Sequence, residues 1–491
     1  MKKRLWRALA GLFVLALFWS APALAEWRRA ESPNFIVYSE ASEAELRGQV
    51  TQLEDFNHLL RALTGTLRAP APANKLDIYM VRGTNDLRLV SPRLSRSIGG
   101  FYVAQPGGTA AFVDATASTG ANPSEGGALQ VLFHEYAHHF MLQYFPTAYP
   151  RWYIEGFAEF MMNTRIDGPV IEYGGIGRGR ASWLTQREWL DFDRMMFAPD
   201  RLRNEEVFQF YAQSWLTVHY LFRDPQRRAA LGRYLAAYGS GQTSPEAFEA
   251  AFGMRPGRLQ AEVQRYAGSG QIPVTRITRT SAAAAPRIAV TVLPASADEL
   301  LLFQAGLRIG VARDQREAYL ARIRNEAAHH AADPFAQRVL AQAEVAAGNG
   351  DAADRLLAGL LAAAPGDAEL LYLRGLRHLM AARGGADAGQ AREASLWFAR
   401  AHRADRNHYP TLFYYSQARR GTEEYASANN ANILLLAHQL APQVNPITLE
   451  TAALLMNRGQ FAEAETLLTP LTADPHSRRT VSRARELLTK A

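Results

Sequence analysis

The chain has 491 residues, too many for one ordinary core, and its 48% hydrophobic and 21% charged content excludes wholesale disorder. Cysteine is absent, which excludes disulfides, thiolate metal ligands, cysteine nucleophiles and a lipid-modified N-terminal cysteine together. The net charge is +7, but Lys2, Lys3, Arg4 and Arg7 carry four of those charges, so the remainder is nearly balanced and offers no nucleic-acid footprint.

Those four cations precede an apolar run from Ala8 to Trp19 and the small-x-small triplet Ala23-Leu24-Ala25, the grammar of a secretory signal peptide over 1–25. The expected address is the periplasm of a Gram-negative envelope, or secretion. No later stretch is both apolar and long enough to span a bilayer, so no stable membrane insertion is expected after cleavage.

From 26 to 267 the pattern is α+β, with a small mixed sheet and many helices. A strand is expected at Asn34 to Tyr38, then a helix from Ser42 to Leu63, where Leu46, Val50, Leu53, Phe56, Leu60 and Leu63 recur at spacings of three and four. Strands follow at Lys75 to Val81, Gly99 to Val103 and Thr109 to Val113, the last two joined by a turn at Pro106-Gly107-Gly108. Beyond residue 124 helices are expected near 125–144, 150–163, 205–222, 226–238, 244–252 and 256–267. The stretch Gly168 to Gly179 holds five glycines and reads as a mobile surface loop.

Residues 268–297 carry Gly, Pro, Ser and an alanine run and read as a linker with one strand at Ile288 to Leu293. From 298 to 491 the sequence turns to Ala- and Leu-rich helical pairs. Pro334, Pro365, Pro410, Pro442 and Pro475 fall near expected helix ends, at intervals mostly close to the tetratricopeptide period of about 34 residues. The one longer interval has room for an insertion at Arg383 to Gln390. Three to five tetratricopeptide-like hairpins are therefore expected, serving a protein partner or simply the structure.

The segment Phe133-His134-Glu135-Tyr136-Ala137-His138-His139-Phe140 carries the chemistry. In a helix His134 and His138 stand one turn apart on one face, so their imidazoles can converge on a cation. Glu135, one residue step away, is placed to take a proton from bound water without becoming a ligand. A catalytic zinc also needs a third protein ligand and an open position. Trp152-Tyr153-Ile154-Glu155-Gly156-Phe157-Ala158-Glu159 offers Glu155 on the next helix, with Gly156 permitting close approach. Glu159, one turn beyond Glu155, is placed to orient a ligand imidazole.

The His-Glu-x-x-His helix followed by Trp-x-x-Glu-Gly-x-Ala-Glu resembles the gluzincin metallopeptidases over roughly 30–267. Trp27 to Tyr38, Phe133 to Phe140 and Tyr211-Ala212-Gln213-Ser214-Trp215 are similar to a bacterial branch of peptidase-MA-like proteins. The resemblance implies a zincin fold, zinc bound by His134, His138 and Glu155, Glu135 as general base, and a peptide or protein substrate. It also implies a tyrosine or histidine downstream as oxyanion donor, with Tyr211 the candidate and His219 its substitute. His139 reads as a packing neighbour. The spacing to Glu155 is shorter than in the aminopeptidase branch and no amine-capturing motif precedes it, which points to endopeptidase action. An edge strand at Gly100 to Val103 or Ala110 to Val113 is expected to hold an extended peptide. The competing reading is a catalytically degenerate zincin acting as an envelope scaffold through its repeats.

Overall fold

The computed structural model describes residues 26–490 apart from 96–97, 119–126, 199–201, 280–284, 383–386, 473 and 475–476; the expected signal peptide lies outside the described residues. Strands β1 (Arg28–Glu31) and β2 (Phe35–Ser39) form an antiparallel pair. Helix α1 (Glu43–Leu63) begins at a reciprocal cap: the Glu45 amide donates to Ser42 Oγ at 3.4 Å, and the Ser42 amide donates to Glu45 Oε2 at 3.0 Å. Its stripe Leu46, Val50, Leu53, Phe56 and Leu60 is buried, whereas Leu63 at its end stays 44% exposed.

This helix is the crossover that lets β3 (Leu76–Val81) pair parallel to β2. After α2 (Thr84–Val90) come β4 (Gly100–Gln105) and β5 (Gly108–Asp114), an antiparallel hairpin whose second strand lies parallel to β3. Helices α3 (Ala128–Tyr144) and α4 (Arg151–Met162) follow. A second, smaller sheet starts with β6 (Arg165–Asp167) and β7 (Val170–Tyr173).

The chain continues through α5 (Arg178–Gln186), α6 (Phe192–Phe197), α7 (Val207–Phe222), α8 (Pro225–Gly239), α9 (Pro245–Phe252) and α10 (Pro256–Gly268). Two of these, α5 and α6, are too short and weakly periodic to have stood out in the sequence. Strand β8 (Thr275–Thr278) completes the small sheet against β7, and β9 (Ala289–Val292) joins the large one beside β1. The stretch read as a linker thus carries two paired strands, one of them at the strand expected from Ile288 to Leu293. The large sheet has the order β4-β5-β3-β2-β1-β9, mixed in direction, with β4 on one edge.

The glycine-rich stretch from Gly168 to Gly179 is not the loop expected of it. Gly168, at φ +53°, closes the β6–β7 turn, and Ile171 is buried in the main core. Two glycines in turns do not dissolve a strand whose alternate side chain reaches that core.

Alternation sorts the side chains of the large sheet to two faces. Phe35, Val37, Ile78, Met80, Ala111 and Val113 pack with α1, α3 and α4 in one continuous core. Tyr79, Val81, Ala110 and Phe112 pack on the opposite face with Leu87 and Val90 of α2. That second face is finished by α11 (Ala297–Ile309), which buries Ala297, Leu301, Leu302 and Ala305 against it.

An all-helical stretch follows: α12 (Arg316–His329), α13 (Pro334–Ala347), α14 (Gly350–Ala363), α15 (Ala368–Ala382) and α16 (Ala388–Ala404). It ends with α17 (Tyr409–Ala418), α18 (Ala428–Leu440), α19 (Asn445–Asn457), α20 (Phe461–Leu471) and α21 (Arg478–Leu488). Each packs on its neighbours in sequence. The architecture is mixed α+β, and no helix among the described residues is long and apolar enough to cross a membrane.

Candidate metal centre

Helix α3 is set in rotation by its apolar and aromatic side. Phe133 stacks on Phe56 with ring centroids 4.0 Å apart, and the buried Tyr136 hydroxyl donates to Asn57 Oδ1 at 2.8 Å. With those residues turned to α1 and the sheet, His134 and His138 face α4 one turn apart. Helix α4 starts just after Pro150 and is buried along nearly its whole length. A side chain at Gly156 would bring a Cβ to 2.5 Å from the Ser214 carbonyl, so only glycine allows α4 to lie this close to α7.

The sequence-predicted ligands come together. His134 Nε2 and His138 Nε2 are 3.1 Å apart, and Glu155 Oε2 lies 3.5 and 3.4 Å from them. These three atoms form a nearly equilateral triangle that could hold a metal ion. A tetrahedral ion with ligand bonds of about 2.0–2.1 Å spaces its donor atoms about 3.3 Å apart, so the edges fit. The buried Glu155 Oε2 makes no hydrogen bond of good geometry among the described residues. A carboxylate oxygen left in that state is costly unless a cation shares it.

The electrostatics favour positive charge at this point. Burial opposes an imidazolium at His134, but the Glu155 carboxylate and the charges of Glu135 and Glu159 prevail and raise its pKa to about 9. Burial alone would raise the Glu155 carboxyl, yet the facing His138 and His134 hold it well below the usual range.

Behind the triangle, Glu159 Oε1 stands 3.7 Å from His134 Nδ1. The same carboxylate is gripped by Arg180, whose Nε and Nη2 donate to its two oxygens at 2.8 Å each. Arg180 was not legible in the sequence, because it lies 21 residues from Glu159 across the β6–β7 hairpin. Its guanidinium also sits over the Tyr211 ring, 5.1 Å from the centroid. Tyr211 in turn meets His134 edge-on at 6.3 Å, and burial together with the Glu155 charge pushes its hydroxyl pKa above the ordinary value.

A cavity of about 530 Å³ opens over the triangle, and His134, Glu135, His138, Glu155 and Tyr211 all line it. Every residue of β4 lines it too. Gly100 matters here: a Cβ there would lie 2.6 Å from Val131 Cγ1, so its absence lets the edge strand run close to α3. Strand β5, the other expected peptide-holding strand, is paired on both sides by β4 and β3 and offers no free edge. A second cavity, about 280 Å³, lies between the hairpin tip, α11 and α15; it shares Gln105 with the first and is lined by none of His134, Glu135, His138, Glu155 and Tyr211.

Two histidines stay outside the triangle. His139 points to β4, its Nδ1 3.0 Å from the Tyr102 hydroxyl, and burial lowers its pKa to about 3. His219, read as a substitute for Tyr211, is buried away from the cavity: Nε2 is 3.1 Å from the Pro273 carbonyl and Nδ1 3.0 Å from the Tyr266 hydroxyl. Nε2 must donate to that carbonyl, so Nδ1 accepts from Tyr266 and the ring is neutral; burial lowers its pKa to about 4. Gln213, two residues past Tyr211, clamps the backbone of Leu190 at 2.8 and 3.0 Å, a structural use of that part of the motif. Comparison of the chain with protein-family models and with curated proteins finds no match.

Proposed function

We propose that the protein is a zinc-dependent peptidase of the gluzincin kind, exported to the periplasm or beyond by its signal sequence, with a tetratricopeptide-like array following the catalytic unit. The observation that carries this reading is the His134–His138–Glu155 triangle beside Glu135, all four lining one cavity. Two imidazoles and one carboxylate with no thiolate suit zinc and leave a position open for chemistry. When bound, zinc supplies Lewis acidity and a water whose pKa is brought to about 7.

The chain's own residues supply the remainder. Glu135, excluded from the triangle by its place on α3, accepts a proton from the attacking water and passes it to the leaving nitrogen. The Tyr211 hydroxyl, kept neutral by its surroundings, donates to the carbonyl oxygen as negative charge develops there. Glu159, braced by Arg180, fixes the His134 ring. The free edge of β4 offers backbone donors and acceptors to an extended substrate along the cavity.

The test is metal analysis of purified protein beside a peptide-library cleavage assay, on wild type and Glu135→Gln. Zinc in both proteins with cleavage in the wild type alone is the expected result. Zinc in both with cleavage in neither would return the protein to the scaffold reading.

A further inference from the structure

The cavity over the triangle has a second wall, and it comes from the far end of the chain. Residues of α18, α19 and α20, and of the turn between α18 and α19, complete its lining. This wall is seated on the β4–β5 hairpin. The buried Tyr409 hydroxyl lies 3.0 Å from Thr109 Oγ1 and donates to the Gln105 carbonyl at 3.2 Å. Asn74 Nδ2 donates to the Leu440 carbonyl at 3.3 Å. Ala441 and Val444 are fully buried in a cluster against which Ala104 of β4 packs. Gln443 stands between those two in sequence, so its turn is fixed near the Gln105 end of β4. Gly100 at the other end lies against Val131, and the Tyr102 hydroxyl against His139. The strand therefore passes the histidine pair of α3 before it reaches Ala104.

Gln443 lines the cavity and is 7% exposed, yet its Oε1 is buried and accepts no hydrogen bond among the described residues. Its polar neighbours are already paired: His438 Nδ1 lies 3.0 Å from Thr448 Oγ1, and Asn445 Nδ2 donates to Asp474 at 2.7 Å. A buried amide oxygen left without a donor is costly, and an N–H or O–H is what answers it. Strand addition supplies such a donor. An extended peptide paired with the free edge of β4 uses the N–H and C=O of every second residue, while the residues between turn theirs away from β4. In a bounded cleft those groups need partners on the remaining walls. The terminal amide torsion of glutamine is soft, so Gln443 can turn oxygen or nitrogen to the cleft without leaving its place. We infer that Gln443 is a substrate-binding residue whose amide pairs with a backbone N–H of a peptide laid along β4, to one side of the reacting bond. This rests on the peptidase reading above. Gln443 also borders a space of about 60 Å³ beside Thr109 and Tyr409, with room for water, which is the competing partner for Oε1.

The experiment takes the tightest-binding neutral peptide of the library and methylates its backbone nitrogens one at a time. Anisotropy binding of this labelled series is measured on Glu135→Gln with and without Gln443→Met, so that binding is read apart from turnover. Methylation at nitrogens facing β4 should weaken binding to both proteins alike. At one other nitrogen it should weaken binding to Glu135→Gln by about fivefold and leave binding to the double variant unchanged. On the active enzyme, Gln443→Met alone should raise KM by about fivefold at constant kcat and zinc content. The midpoint of chemical denaturation should not fall, because an apolar group of similar shape replaces a buried one that lacks its partner. Identical methylation profiles with and without Gln443→Met overturn the inference, and a lowered midpoint beside them assigns the amide to water and the fold. A Gln443-dependent profile with no cleavage by the wild type keeps the contact and removes the peptidase reading; absence of both binding and cleavage removes both.

Discussion

The two walls of the cleft are built on different principles. On the side of α3, α4 and α7, polar atoms converge on one point: three donor atoms within 3.5 Å of one another, a carboxylate behind them and an arginine behind that. On the side of α18 to α20, polar groups are spread out and paired among themselves, as His438 Nδ1 is with Thr448 Oγ1 at 3.0 Å and Asn445 with Asp474. Convergence is what chemistry at a single atom requires, because misplacement by an ångström is expensive there. Dispersal suits recognition along a chain of several residues. The comparison teaches that one cavity can be lined both by a converging cluster of polar atoms and by dispersed, mutually paired ones from helices some 300 residues away, about the span over which contacts such as Tyr409 to Thr109 already close.

The comparison breaks first at Glu135. On the converging wall its replacement by Gln should lower kcat by about 10²–10⁴ with metal content and peptide affinity unchanged, measured by steady-state kinetics and metal analysis. Tyr211→Phe should follow, at about 10²–10³ in kcat and little in KM, since a donor aimed at developing charge acts chiefly in the transition state. Arg180→Gln sharpens the contrast differently. It touches neither substrate nor the ligand triangle, so its expected effect is a loss of about 10–100-fold in zinc affinity, read by competition with a chelator. Arg180→Lys should recover only part of this, because a point charge cannot reproduce the two parallel bonds to Glu159. Full recovery with Lys would mean that Arg180 acts through charge alone.

Much of the converging wall was legible in the sequence, for a physical reason. His134, His138, Glu155 and Glu159 are related by helical periodicity and one short turn, so local spacing already determines which of them share a face. Helix limits in the same region were legible too: α4, α8 and α9 fall within about two residues of expectation, helped by proline at the start of each of the last two. What escaped was set by distance along the chain. Arg180 reaches Glu159 across a hairpin whose turn and second strand lay in the stretch from Gly168 to Gly179, where the glycines outweighed the short strand. His219 was misplaced because spacing along α7 cannot say which face meets the cavity; Tyr266 and Pro273, far downstream, decide it. The second wall was hidden most thoroughly, since repeat-like helices do not declare in sequence where their stacking will bring the last of them.

The gentlest perturbation is the most discriminating for that wall. Tyr409→Phe removes one hydroxyl and leaves the ring, which is 4% exposed, in place. The lost partners are Thr109 Oγ1 and the Gln105 carbonyl at the end of β4, so the change loosens the seat of the array without touching α3 or α4. Leaving a buried acceptor short of its donor costs about 1–3 kcal/mol, to be seen as a lowered midpoint in chemical denaturation. If α18 to α20 hold substrate, a looser seat should also raise KM for peptides by a few fold at constant kcat, since binding is weakened alike in ground and transition states. Zinc content should not move. A lowered midpoint with unchanged KM would show that the array steadies the fold at this contact while the peptide is held by β4 and the converging wall alone.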